Sequence, residues 1–297
     1  MAKQYWAWAM IAMLPATSWA DQPTDIRPRS AALMDDVPSV YAPPAPPSPE
    51  EGVNLGGVNI ELRVNYLTDY IYRGIEILEV PASEDKANLQ FEGKLSWNLG
   101  KLPSPFIGIF TNVAELDPVS EFQEIRPFFG FDLDLRPFTL TFGNNTYLYP
   151  DRDDMNTAEV WGRITLDDSW LFSTRKPLLS PYVMAAYDYD NYDGWYLEAG
   201  VSHEIELEEI GVTLEFYGHV AYVHEFSLFS LTPGEDSGFQ HYQVGVIGKY
   251  SLNKLLNTSE RYGSWHLIGY LNYTDGIDED LRAEEQLWGG AAIGFRY

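Results

Sequence analysis

The sequence predicts an all-β protein: a closed, antiparallel, up-and-down transmembrane β-barrel of about twelve strands. Three observations lead there. From Gly57 onward apolar and polar residues alternate with period two, as a strand with two different faces requires. The apolar faces are nearly free of charge and end in aromatics (Tyr66, Trp97, Tyr147, Tyr182, Trp195, Tyr250, Trp265, Tyr273, Tyr297), while the opposite faces carry many ions. A soluble core seldom takes ions on its inner face, whereas a hydrated lumen does, and a sheet in lipid has to close to satisfy its edges.

Composition narrows the partners. With 44 acidic against 19 basic residues the formal net charge is −25, which excludes a nucleic-acid partner. The chain has no Cys, so disulfides, thiolate metal sites and a Cys nucleophile are excluded together. Beyond the N-terminus no apolar run is long enough for a helical span.

In chain order, residues 1–20 read as a secretory signal peptide. Lys3 gives the basic start, Trp6 to Leu14 the short apolar stretch, and Ser18-Trp19-Ala20 a small-x-small cleavage site. Residues 21–56 hold Pro23, Pro28, Pro38, Pro43, Pro44, Pro46, Pro47 and Pro49 with no alternation, the composition of a flexible periplasmic tether. The barrel domain is expected over 57–297. Its strands are expected at 58–66, 88–99, 105–113, 129–136, 138–143, 157–166, 180–188, 195–207, 212–223, 239–250, 264–273 and 286–297. Two of them, 105–113 and 180–188, are apolar on both faces. Alternate connections are short and near neutral. The other set is longer and acid-rich, with only Arg73, Lys86, Arg152 and Arg282 as bases. Short turns belong to the periplasm and long loops to the outside, so the excess negative charge is expected outside an outer membrane.

At the end of the first strand the chain reads Thr68-Asp69-Tyr70-Ile71-Tyr72-Arg73-Gly74. This resembles the S/T-D-Y-x-F/Y-R-G signature of an uncharacterised bacterial family of outer-membrane barrels, the Gcw_chp family. The resemblance implies location and fold, and no chemistry. From the residues themselves, Tyr70 and Tyr72 suit the outer aromatic girdle, Gly74 a turn, and Arg73 a nearby acid such as Asp69, so a structural latch is preferred to a ligand site. At the other end Ile293, Phe295 and Tyr297 share one face of the last strand. They resemble the C-terminal signal read by the barrel-assembly machinery.

The polar faces give an inward charge network of Glu61, Arg63, Glu92, Lys94, Arg126, Asp132, Asp134, Glu159, Arg163, Glu198 and Glu215, joined by Glu124, Arg136, Glu204, Glu206, Lys249 and Arg296. Unpaired ions there need water or counter-ions. Two outcomes stay open. A hydrated interior would make a narrow porin-like channel for small, cation-leaning solutes. A tight ion-pair network, with inward Phe128, Tyr147, Trp161, Tyr196, Tyr217, Tyr270 and Trp288, would make a plugged barrel that presents acidic loops. The channel is the preferred expectation.

No cofactor and no defined metal site is expected. The loop acids (Asp151, Asp153, Asp154, Asp188, Asp190, Asp193, Asp275, Asp278, Glu279, Asp280) offer oxygens to divalent cations, and so a diffuse bridge to lipopolysaccharide, but none fits a full calcium loop. Lipid hydrolysis is a remote third reading. It needs a Ser and a His in reach, and Ser202 and His203, as strand neighbours, point to opposite sides. His219 and His266 are placed on the lumen face, within cross-strand reach of Glu215.

Overall fold

The computed structural model describes residues 57–76, 88–99, 102–114, 123–150, 152–174, 176–207 and 209–297. The expected signal peptide and Pro-rich tether lie outside the described residues. The chain forms β1 (Val58–Leu67), β2 (Ile71–Tyr72), β3 (Ile75–Glu76), β4 (Asn88–Trp97), β5 (Ser104–Ala114), β6 (Gln123–Leu135) and β7 (Phe138–Tyr147). Then follow β8 (Thr157–Leu166), β9 (Tyr182–Asp188), β10 (Trp195–Leu207), β11 (Val212–His224), β12 (Gly238–Ser251), β13 (Ser264–Gly276) and β14 (Gln286–Arg296). All but β2 and β3 pair antiparallel into one closed barrel, and β1 completes the ring against β14. The Tyr297 N–H donates to the Ile60 carbonyl at 2.8 Å across that closure.

Period-two alternation becomes two surfaces. On β1, Glu61, Arg63 and Asn65 are buried while Leu62, Val64 and Tyr66 are exposed. Phe129 and Phe131 on β6, Val160 and Ile164 on β8 and Leu267 and Leu271 on β13 continue the same outer apolar belt. A barrel that shows grease outside and encloses its ions is the outer-membrane architecture.

The strands that read as apolar on both faces have a reason to be. Inside the barrel, Phe106 of β5 and Met184 and Ala186 of β9 are buried in one cluster with Phe128 and Trp161, and Phe110 of β5 is buried against Tyr70 and Tyr147 rather than water. The ring of Phe106 lies 6.3 Å from that of Phe128 and 6.4 Å from that of Trp161. Gly108 makes room for this packing: a Cβ there would fall 2.1 Å from the Phe128 ring and 2.5 Å from the Gly93 carbonyl oxygen. The second neighbour is backbone and cannot swing away. Gly108→Val is therefore expected to lower stability by about 1–3 kcal/mol or more, read as a lower urea midpoint.

Two ends are distinct. One carries the short Arg136–Pro137 turn and two short helices, α1 (Ser169–Phe172) and α2 (Leu252–Leu256). Trp170, Leu171, Phe172, Leu255 and Leu256 are exposed on those helices. At the other end the described loop after β11 turns inward. Phe226 and Phe229 are buried with rings 4.7 Å apart. The Arg282 N–H reaches the Phe229 carbonyl at 2.7 Å, binding two loops together. The β2–β3 hairpin also belongs to this end.

Candidate functional site

The signature segment is not part of the wall. It leaves β1 through Thr68, whose Oγ1 accepts from the Gly289 N–H at 3.1 Å, and folds back inside the barrel as the β2–β3 hairpin. Tyr70, Ile71, Tyr72, Arg73 and Ile75 are all buried. This corrects two expectations. Tyr70 and Tyr72 do not join the outer girdle, and Arg73 does not pair with Asp69, which accepts from the Thr68 hydroxyl.

Arg73 instead reaches across to β8. Its Nη1 lies 2.9 Å from Glu159 Oε2 and its Nη2 donates to Glu159 Oε1 at 3.0 Å. The same carboxylate accepts from Asn145 Nδ2 at 2.9 Å and Tyr147 OH at 2.6 Å. The Arg73 guanidinium also lies 4.3 Å from the Tyr196 ring centre. Tyr70 OH donates to Glu124 at 2.9 Å, and Arg126 donates to both Glu124 and Tyr70 OH. Burial, reinforced by the Glu124 carboxylate, raises the Tyr70 phenol well above its ordinary value, so it stays a proton donor. Tyr72 OH and Tyr147 OH lie 2.7 Å apart.

Gly74 sits at φ +75°, in the left-handed region that glycine adopts without strain. A Cβ there would come 2.6 Å from the His241 ring, so size as well as backbone selects glycine. Its neighbour is prepared by a β-bulge. Val220 of β11 faces Tyr242 but Tyr222 faces Phe239, so β12 uses one extra residue, and both Gln240 and His241 are buried. Gln240 Nε2 donates to the Arg73 carbonyl at 2.7 Å.

Toward the turn end the inner wall carries paired ions. Arg63 donates to Glu92, Lys249 Nζ to Glu215 at 3.1 Å, and Arg296 Nε lies 3.9 Å from Glu61. Lys94 Nζ lies 4.0 Å from Asp132, which also accepts from Thr141. Arg163 lies 3.6 Å from the Tyr182 ring centre, and Tyr182 and Tyr196 both donate to Glu198. Here Glu61, Glu92, Asp132, Glu198 and Glu215 stand among Arg63, Lys94, Arg163, Lys249 and Arg296, which balances the ring electrically. Asp134 is set apart from this ring: it is exposed at the Arg136–Pro137 turn, 3.5 Å from Arg136 Nε. Glu204 and Glu206 are exposed at the same end, where Lys176 reaches Glu206. His219 turns to Glu198, 3.7 Å away, rather than to Glu215.

The end of the last strand stays on the outer surface, where Trp265 and Leu267 of β13 face Phe295 and Ile293. Ile293 is exposed on the belt, and the Phe295 ring packs 4.6 Å from that of Trp265. Loop acids serve the loops themselves. Asp188 accepts from the Thr157 hydroxyl and from the backbone N–H groups of Asp190, Asn191 and Tyr192. Asp278 accepts from the Asp280 N–H. Among the described residues no group of three or more His, Asp or Glu is placed to hold a metal ion.

One Ser–His contact escaped the sequence reading. Ser237 Oγ lies 3.2 Å from His224 Nδ1 on the loop rim and accepts from the Glu225 N–H at 2.9 Å. It donates to Asp236 at 3.1 Å, so its proton points away from the imidazole. Among the described residues the other His224 nitrogen has no carboxylate to orient it, so this is a turn contact rather than an activated nucleophile. No signal in the spacing could have found it, because a loop fold brings the two together.

No family model matches the chain, and no curated protein matches it in sequence. Solved structures do resemble it in shape. An outer-membrane channel from Pseudomonas putida F1 superposes with a TM-score of 0.47 at 10% identity, over 84% of this chain and 99% of that one. The NanC porin gives 0.45 at 9%, over 80% and 98%. LpxR from Salmonella typhimurium gives 0.45 at 10%, over 79% and 99%. The likeness is one of shape at about a tenth identity.

Proposed function

We propose that this protein is an outer-membrane channel for small hydrophilic solutes that rests closed, with the Thr68–Ile75 hairpin as its gate. One observation carries the reading: the hairpin occupies the lumen yet is held there by hydrogen-bonded ion pairs and hydroxyls, above a charge-balanced ring. A buried pair loses its hold when either partner is lost, so the Arg73–Glu159 contact is a point at which the segment can be released. The balanced ring gives no preference of sign by itself. Any lean toward cations comes from the acidic loops around the mouth, which raise the local concentration of cations. In this reading the long loops face outward among lipopolysaccharide and divalent cations. The barrel-assembly machinery takes the chain from the periplasm through Ile293, Phe295 and Tyr297, and the Thr68–Gly74 signature marks kinship with the barrel family it resembles.

A second reading is favoured by a different observation. Ile75, Phe226, Phe229 and Leu281 form a buried apolar cluster at the loop end, as a permanent plug would. Planar-bilayer recording separates the two. The gated channel gives rare, brief openings in the native protein and frequent ones when the Arg73–Glu159 pair is broken. If the native and both pair-breaking proteins stay silent, the barrel is a plugged scaffold.

A further inference from the structure

Buried side-chain atoms that make no hydrogen bond within the protein concentrate on one sector of the lumen wall. Asn65 on β1, Gln90 on β4 and Asn112 on β5 stand opposite one another in the strand register, and each is 0% exposed. Gln90 is orphaned in both its Oε1 and its Nε2, and Asn65 Nδ2 and Asn112 Oδ1 have no partner either. The other ends of the two Asn amides are held: Asn65 Oδ1 accepts from Tyr270 OH at 3.0 Å, and Asn112 Nδ2 donates to Asn88 at 3.3 Å. Burying an amide without a partner is costly, so each such group in a folded protein calls for a reason. The row leads to the hairpin. Its next member is Glu124 of β6, opposite Asn112, and Tyr70 donates to that carboxylate at 2.9 Å. At the root of the hairpin Asp69 Oδ1 is also buried and accepts nothing. The ions nearby are committed. Two residues toward the turn end Arg63 donates to Glu92, and Arg126 donates to Glu124 and Tyr70 OH.

We propose that the Asn65–Gln90–Asn112 row is the recognition site of the channel and takes uncharged solutes rich in hydroxyl groups, the chemistry of sugars and polyols, which rests on the channel reading above. A side-chain amide pairs a donor with an acceptor, and so does a hydroxyl. Adjacent strands set the row's members about 4.8 Å apart, so one ring bearing several hydroxyls can satisfy more than one amide at once. Phe110, the inward residue before Asn112 on β5, and Tyr270 are both buried and offer an apolar wall to the C–H face of such a ring. Ionic solutes fit worse. The Asp69, Glu92 and Glu124 carboxylates repel an anion, and the latter two, already spent on Arg63 and Arg126, offer little to a cation. The resting barrel shuts the row off from solvent, and it meets the passage when the hairpin leaves Glu124.

The test is ion current through the full Arg73→Ala barrel in planar bilayers, with glucose as the probe and gluconate and glucosamine as its anionic and cationic counterparts. Gel mobility before and after heating checks folding. Glucose is expected to block the current in brief, concentration-dependent events, at about tenfold lower concentration than either charged counterpart. Gln90→Leu and Gln90→Met, each added to Arg73→Ala, take two hydrogen bonds from the solute and none from the resting protein. They are expected to raise the blocking concentration about tenfold and to leave the unblocked current within about twofold, and either folded variant suffices. If Arg73→Ala conducts but glucose does not block it, or a charged counterpart blocks better, or the block is unchanged in the Gln90 variants, the amide row is not the recognition site and the channel stands. If Arg73→Ala does not conduct at all, the channel reading fails and the recognition site fails with it.

Discussion

Replacing Arg73 with alanine is expected to raise the open probability of the barrel about a hundredfold at neutral pH. The side chains of Arg73 and Glu159 are 3% and 2% exposed, so the pair is shielded from water. Removing one member of a buried pair costs about 3–5 kcal/mol, because the other charge stays behind in a poor environment. Glu159 would keep Asn145 and Tyr147 as donors, which places the effect near the lower figure. Three kcal/mol corresponds to roughly two decades in an equilibrium. That free energy is lost from the closed state only, since a withdrawn hairpin leaves Glu159 facing lumen water. Glu159→Gln is expected to act in the same direction. The double variant Arg73→Met with Glu159→Leu removes both charges and fills the space, and should return most of the closure. Bilayer conductance of the three proteins measures this. A silent Arg73→Ala barrel would mean that the apolar cluster, not the ion pair, holds the segment.

The second large effect concerns the outside. Phe129 sits near the middle of β6 on the outer belt and is 54% exposed. Phe129→Arg puts a guanidinium into the acyl region, which costs about 2–4 kcal/mol in a lipid-embedded barrel. In a water-soluble barrel the same change would be neutral or favourable for solubility. The expected outcome is a lower urea midpoint in lipid vesicles and less heat-resistant folded protein, while Asp132→Asn on the inner face changes the midpoint by less. Equal midpoints for native and Phe129→Arg proteins would place that face in water.

The barrel was legible because its signal is local: a residue's neighbours two positions away share its surface. Glu61, Arg63, Glu92 and Lys94 are inside as the alternation requires, and Arg63 stands opposite Glu92 in the β1–β4 register. The hairpin was not legible for the converse reason. Tyr70 and Tyr72 follow a strand end, where an aromatic serves a lipid interface and a packed lumen equally well, and only the return of the chain into the barrel decides between them. Arg73 has an acid four residues away in Asp69, but its true partner is on β8, a relation no short-range pattern carries. The bulge that turns both Gln240 and His241 inward breaks the very period used to assign faces. Asp134 has the inner parity but lies where the strand gives way to a turn, and parity says nothing about depth.

The gate itself can be locked. The chain has no Cys, so a pair introduced at Gly74→Cys and His241→Cys is the only thiol pair present. A Cβ at Gly74 lies 3.1 Å from His241 Cβ, close to the 3.5–4.5 Å or so that a disulfide spans. Conductance of this double variant, first oxidised and then reduced in the same bilayer, is the direct measurement. The expected result is silence while the bond is intact and frequent openings after reduction, with the hairpin freed and its His241 contact gone. Equal conductance in both states, at any level above background, would show that solute passes without moving the Thr68–Ile75 segment and would contradict its role as the gate.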